Sequence, residues 1–120
     1  MNKTTLVIGA SENTERYSNM AVKLLTAYQH KVFALGNKKG KIGDVEILVG
    51  QPALTNVHTI TLYLSPKYQK DYYDYILSLK PERIIYNPGT ENDELIELTS
   101  KHNISAIVAC TLVMLKTNQY

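Results

Sequence analysis

The sequence predicts a three-layer, doubly wound α/β fold with a mostly parallel sheet, formed by a single domain of 120 residues. Two observations predict it. Short β-branched, apolar runs recur along the chain, and stretches with apolar residues at helical spacing separate them, the pattern of strands joined by right-handed crossovers. Hydrophobic residues make up 44% of the chain, enough for a core that needs neither metal nor disulfide.

Thr4 to Ile8 (TTLVI) is the first strand, continuously apolar as a strand buried on both faces requires, and it ends at Gly9. After a polar loop, Met20, Ala21, Leu24, Leu25 and Tyr28 form the apolar stripe of a helix from Ser18 to Gln29. Lys31 to Leu35 is a second strand. Glycine and lysine content marks Gly36 to Gly43 as a loop, and the alternation of Val45, Ile47 and Val49 with polar Glu46 suggests a short edge strand.

Val57 to Leu64 is the next strand. Ser65 then offers a cap oxygen and Pro66 suits the first helical position. Tyr68, Tyr72, Tyr75, Ile76 and Leu79 give that helix its apolar stripe, and Pro81 stops it. Arg83 to Tyr86 is another buried strand, broken by Asn87-Pro88-Gly89. Asn92 caps the following helix, with Asp93 and Glu94 in its first turn and Leu95, Ile96, Leu98 and Thr99 facing inward. Ile104 to Ala109 supplies the last strand, and Cys110 to Tyr120 closes the chain in a form the pattern does not specify.

Charged residues make up 20% of the chain, the net charge is +2, and the cations are scattered, so bulk electrostatics argue against a nucleic-acid partner. No apolar run reaches the roughly 18 residues of a membrane span. With a single cysteine and no signal-peptide pattern, a cytoplasmic location is expected.

In a doubly wound sheet, ligands bind outside the carboxyl ends of the strands, where strand order reverses. Four of those ends here are small or turn-forming: Gly9-Ala10-Ser11, Gly36-Asn37, Ser65-Pro66 and Asn87-Pro88-Gly89. Any one of them is ordinary turn chemistry. Together they allow backbone amides to approach a ligand along one rim. The first loop adds hydroxyls at Ser11 and Ser18, a helix N-terminus, and Arg16, whose charge-assisted bonds to a phosphate are worth about 1.5–3 kcal/mol. Alternatively, Ser18 caps the helix and Arg16 pairs with Glu12 or Glu15.

The loop lacks the G-x-G-x-x-G dinucleotide pattern. Where an NAD site carries an acidic residue for the ribose, the chain has Gly36, Asn37, Lys38, Lys39 and Lys41. A phosphorylated ribose suits those lysines, and both coenzyme A and NADP carry one. A dehydrogenase normally needs a further domain, which weighs toward CoA.

These segments carry a resemblance. VIGASENTERYSNMAVKLL from Val7 to Leu25, LYLSP from Leu62 to Pro66, NPGTENDEL from Asn87 to Leu95 and ACTLVML from Ala109 to Leu115 resemble the small stand-alone CoA-binding proteins of bacteria. These are Rossmann-like relatives of the CoA-binding domain in succinyl-CoA synthetase and acyl-CoA synthetases. The resemblance implies that the chain binds CoA or an acyl-CoA without catalysing a reaction itself. It places the phosphates at Ser11 and Arg16, within a cradle of Gly9, Ala10, Tyr17, Ser18 and Asn19. Gly36, Asn37 and Lys38 would face the adenosine, and Leu64, Ser65, Pro66, Asn87, Pro88 and Gly89 would line the pantetheine path. A small enzyme using NADP or an acyl-CoA, and a scaffold for another adenine nucleotide, are the competing expectations.

Cys110 follows the last strand, where it would meet the CoA thiol or fill a small core volume. His30, His58 and His102 read as surface or capping residues. Tyrosines number nine against one phenylalanine, and Tyr73 falls off its helix's apolar stripe, leaving a protein partner or homodimer contact as one reading of it. Glu91, Asp93 and Glu94 have no histidine or cysteine at metal-ligand spacing beside them and read as helix-capping carboxylates.

Overall fold

The computed structural model describes residues 2–120. Strands β1 (Thr5–Ile8), β2 (Val32–Leu35), β3 (Gly40–Ile42), β4 (Val45–Leu48), β5 (Thr59–Leu62), β6 (Arg83–Tyr86) and β7 (Ser105–Val108) alternate with helices. The helices are α1 (Tyr17–Ala27), α2 (Pro66–Gln69), α3 (Tyr73–Leu79), α4 (Asp93–Ser100) and α5 (Thr111–Lys116). All seven strands share one sheet in the order β3-β4-β2-β1-β5-β6-β7. Every neighbouring pair is parallel except β3 with β4. The order reverses at β1, which lies between β2 and β5, so the Rossmann-like doubly wound arrangement expected from the alternation is the one present.

Side-chain alternation along the strands builds a core on each face of the sheet. Leu6, Ile8, Leu35, Ile60, Leu62, Ile84 and Tyr86 pack with Tyr75, Ile76 and Leu95 from α3 and α4. On the other face, Val7, Ala34 and Ile47 meet Val22 and Leu25 of α1 and Leu115 of α5. Strands β1 and β5 are buried at every position, as their unbroken apolar and β-branched runs require. The edge strand β7 is different: only Ile107 is half-buried, and Val108 is 61% exposed.

Several elements depart from the sequence reading. The Gly36 to Gly43 segment contains β3, which pairs antiparallel with β4 across a two-residue turn holding Gly43 at φ +60°. Ile42 is the reason, since this strand lets it enter the core. Met20 in α1 and Tyr28 just past its end are exposed, while Ser18 and Asn19 are buried under the preceding loop. The helix expected from Ser65 is broken into α2, a 3₁₀ turn over Lys70–Tyr72, and α3. That break shifts the phase: Gln69 is buried and Tyr68 is exposed. Ser65 is extended, but its side chain caps no amide. Tyr73 packs against the core, where its hydroxyl donates to Glu94 and accepts from the Asn92 amide, both at 2.9 Å. Asn92 does cap α4, accepting the Leu95 amide at 3.2 Å.

Beneath the carboxyl rim of the sheet lies a buried polar network. The Asn87 amide nitrogen donates to Thr61 Oγ1 at 2.7 Å and to the Leu62 carbonyl at 2.8 Å, while Asn87 Oδ1 accepts the Thr111 amide at 2.9 Å. Thr61 and Thr111 hydroxyls share a 2.7 Å bond. Nearby, Gln69 donates to the carbonyls of Leu64 and Thr90, both at 2.8 Å, and accepts from Asn92 at 2.9 Å.

Asn87→Asp keeps the shape but removes both donors and sets a carboxylate against the Leu62 carbonyl. It should lower unfolding stability by about 2–3 kcal/mol in urea titration at pH 7. A loss below about 0.5 kcal/mol would show the network to be dispensable.

His30 and His58 give the fold a pH dependence. Burial lowers the pKa of His30, helped by the charges of Lys3 and Arg83, and His30 Nδ1 accepts the Lys3 amide at 2.9 Å only when unprotonated. Burial also lowers the pKa of His58, opposed by Glu82 and reinforced by Arg83 and Lys3. The unfolded chain therefore binds protons that the folded chain refuses as pH falls below 6.5, the ordinary value for both. Stability should be full above that pH, fall as pH drops toward the folded-state values, and level off below them. Urea midpoints measured from pH 8 to pH 5 (about the range in which histidine titrates) check this, and a midpoint rising with acid contradicts it.

Candidate functional site

The site forms at the carboxyl edge of the sheet, beside the reversal at β1. Gly9 ends β1 at φ +99°, and its missing side chain lets the Tyr63 backbone approach to 3.0 Å of the place a Cβ would occupy. At the end of β2, a Cβ on Gly36 would stand 2.4 Å from the Ala10 carbonyl oxygen. The first loop and the β2 turn therefore touch at their bases. The amides of Gly9 and Ala10 both donate to the Leu35 carbonyl, at 2.9 and 3.0 Å.

Above that contact the two walls part around a cavity of about 260 Å³, lined by Ala10, Ser11, Glu12 and Asn13 on one side and by Asn37, Lys38 and Lys39 on the other. The loop is held by its own side chains. Ser11 Oγ accepts the Asn13 amide at 3.1 Å, Asn13 Oδ1 accepts the Glu15 amide at 3.0 Å, and Asn19 donates to the Ser11 carbonyl at 2.9 Å. Asn19 is 2% exposed, and its Oδ1 has no partner.

Arg16 occupies the extended position before α1, with no side chain capping the helix. The amides of Tyr17 and Ser18 have no acceptor within the protein; Tyr17 is exposed, while Ser18 is buried beneath the loop. Arg16 itself is exposed, and among the described residues no carboxylate stands within ion-pair distance of it. The alternative pairing with Glu12 or Glu15 is not formed, and Glu12 Oε2 instead accepts the Lys41 amide at 2.9 Å. Anionic ligand groups would find two ammonium groups in the lining of the cavity, and a partly positive helix end and the Arg16 guanidinium outside that lining, where the same loop enters α1.

Farther along the rim, Ser65, Pro66, Pro88 and Gly89 are exposed and Leu64 is half-buried. Gly89 has φ +91° and donates its amide to Glu91 at 2.8 Å. Asn87 is placed differently from its neighbours. Its amide is buried and fully used within the protein, so it shapes the rim from below instead of facing a ligand. Cys110 is a free, partly exposed thiol at the start of α5. The nearby Tyr63 hydroxyl is buried without a partner, and burial pushes its pKa up to about 12.

A larger cavity, about 330 Å³, opens at the opposite pole among Lys3, Tyr28, His30, Leu115, Asn118 and Tyr120. Its groups are engaged with one another. The Tyr120 ring lies 4.9 Å from that of His30 and 4.5 Å from the Arg83 guanidinium, while Lys3 donates to the Tyr120 carbonyl oxygen. It also lies away from the strand ends where a doubly wound sheet presents its free amides.

Asn13 and Glu12 line the cavity without having been expected there as ligand-facing residues. Asn13 could have been found from its place between Ser11 and Arg16. Glu12 could not, since its partner Lys41 is 29 positions away. Among the described residues no cluster of three metal-ligating side chains occurs.

Comparison with known proteins bears on the family and the fold. The family profile described as a CoA binding domain matches residues 3–116. Among curated proteins, no match is found. Among solved structures, an uncharacterized protein is 42% identical with a TM-score of 0.97, covering 100% of this chain and 99% of its own. The protein cell-free ID.343 from Thermus thermophilus is 17% identical with a TM-score of 0.85, covering 99% of this chain and 91% of its own. A hypothetical protein from Pyrococcus horikoshii OT3 is 17% identical with a TM-score of 0.81, covering 96% and 83%. The last two likenesses speak to the fold alone. On the extent of the profile match, the chain belongs to the CoA binding domain family.

Proposed function

We propose that the protein binds coenzyme A or an acyl-CoA as a non-catalytic module spanning residues 1–120, working in the cytoplasm. One observation carries the reading: the cavity beside the strand-order reversal is walled by the β1–α1 loop on one side and by Lys38 and Lys39 on the other. A phosphorylated adenosine fits that pairing. Its diphosphate would lie against the start of α1, at Tyr17 and Ser18, and the Arg16 guanidinium, within the cradle of Gly9, Ala10, Ser11 and Asn19. Gly36, Asn37 and Lys38 would take the adenosine side, and Lys38 and Lys39 the ribose phosphate.

The cavity is too small for the whole cofactor. The pantetheine arm would run outside it, over Leu64, Ser65 and Pro66 and past Pro88 and Gly89, and its thiol end would approach Cys110. Family membership supports CoA as the ligand, and the likeness to the CoA-binding domain of succinyl-CoA synthetase noted in the sequence is consistent with it. NADP shares the phosphorylated ribose and is the competitor that the lysine turn also favours.

A thermal-shift panel of CoA, acetyl-CoA, NADP, NAD and ADP tests this. CoA at 100 times its dissociation constant should add about 2.7 kcal/mol of stability, with NAD giving little. Arg16→Ala should weaken CoA binding about ten-fold or more without lowering the stability of the free protein. A shift with NADP but not CoA, or an Arg16→Ala protein with wild-type affinity, would contradict the proposal.

A further inference from the structure

The contact between Glu12 and β3 joins the two walls of the cavity. Glu12 belongs to the β1–α1 loop, yet its carboxylate reaches across to accept the Lys41 amide at 2.9 Å. Strand β3 has a neighbour on one side only, so this amide lies on the open edge of the sheet, where a donor otherwise meets solvent. Gly40 makes the approach feasible. A Cβ at position 40 would stand 2.3 Å from Glu12 Cδ and 2.6 Å from both Cγ and Oε2. The backbone of Gly40 is not in the left-handed region, so a missing side chain is needed there for the carboxylate and not for the turn.

We propose that Glu12 is a positioning residue and Gly40 its seat: the clasp between them sets the separation of the phosphate loop from the lysine turn, and with it the grip on the adenosine end of the ligand. The proposal rests on the CoA reading given above. At the base of the cavity the walls are fixed by the contact of Gly36 with Ala10. At the mouth, the Glu12 contact is the side-chain bond that ties the loop to the β3–β4 hairpin. Without it, Ser11 and Asn13 keep their bonds within the loop, while Lys38 and Lys39, in the turn that leads into β3, adjoin a hairpin no longer tied to it. A ligand gripped by both walls then loses affinity, and one gripped by the loop alone does not.

The test uses the full chain with Glu12→Ala, Glu12→Gln, Gly40→Ala and the double variant Glu12→Ala/Gly40→Ala. Exchange of the Lys41 amide is followed by NMR, and calorimetry gives affinities for CoA and for 4′-phosphopantetheine, which lacks adenosine. Glu12→Ala and Gly40→Ala should each speed Lys41 exchange and weaken CoA about ten-fold, as expected for one lost charge-assisted bond. The double variant should lose no more than either single one, because both break the same contact. Glu12→Gln, which keeps an acceptor, should retain most of the affinity, and 4′-phosphopantetheine should bind all variants alike. Unchanged Lys41 exchange, additive losses in the double variant, or equal losses for both ligands would overturn the proposal. Wild-type protein that leaves CoA unbound, with Lys41 exchange still responding, would sink the CoA reading and leave the clasp standing.

Discussion

Saturation of the Asn87 amide is the constraint on which the rest of the structure depends. A parallel sheet delivers all its strand ends to one rim, where chain must leave the sheet and backbone groups lose their ladder partners. Asn87 resolves this for three segments at once, bonding Thr61 and Leu62 of β5 and the first amide of α5 from its own place after β6. Each partner is buried, so leaving any one unpaired would cost about 1–3 kcal/mol. Gln69 does comparable work for the loops after β5 and β6. Polar side chains beneath the rim thus satisfy the inner backbone groups, and the loops above it bond their own amides locally, as Gly89 does to Glu91 and Asn13 to Ser11.

The cavity depends on this division. Its floor is set by two glycines, Gly9 and Gly36, which bring the ends of β1 and β2 into contact with neighbouring backbone. The positive charge on its walls comes from the β2–β3 turn, through Lys38 and Lys39, while Arg16 stands exposed beyond the lining, at the start of α1. Glu12 is the one carboxylate between the walls, bonded to a backbone amide and ion-paired with neither lysine, so the lining holds two ammonium groups against one carboxylate. Such a pocket favours an anion that spans both walls.

Much of this was legible beforehand. The unbroken β-branched runs of β1, β5 and β6 announced strands buried on both faces, and Asn92 announced the start of α4. The small residues at the strand ends marked the rim, and Gly36 was read correctly as the turn that follows β2. The failures share a cause. Tyr68, Met20 and Tyr28 have side chains suited to burial at regular helical spacing, but a break at the 3₁₀ turn and the tuck of α1 beneath its loop changed which residues face inward. Gly40–Ile42 looked like a flexible loop because its composition is that of one, and only pairing with β4 makes it a strand.

Taken alone, the sequence determined the layering of the chain, the alternation of its main strands and helices and the run of small residues at the strand ends, because these follow from periodicity and from residues that act on their own neighbours. It could not determine that Asn87 points down into the protein while Pro88 and Gly89 point out, that Arg16 is free of Glu12, or that Glu12 finds its partner in Lys41. Those facts are set by contacts between segments far apart in the chain, through hydrogen bonds whose geometry exists only once the sheet has brought the strand ends together.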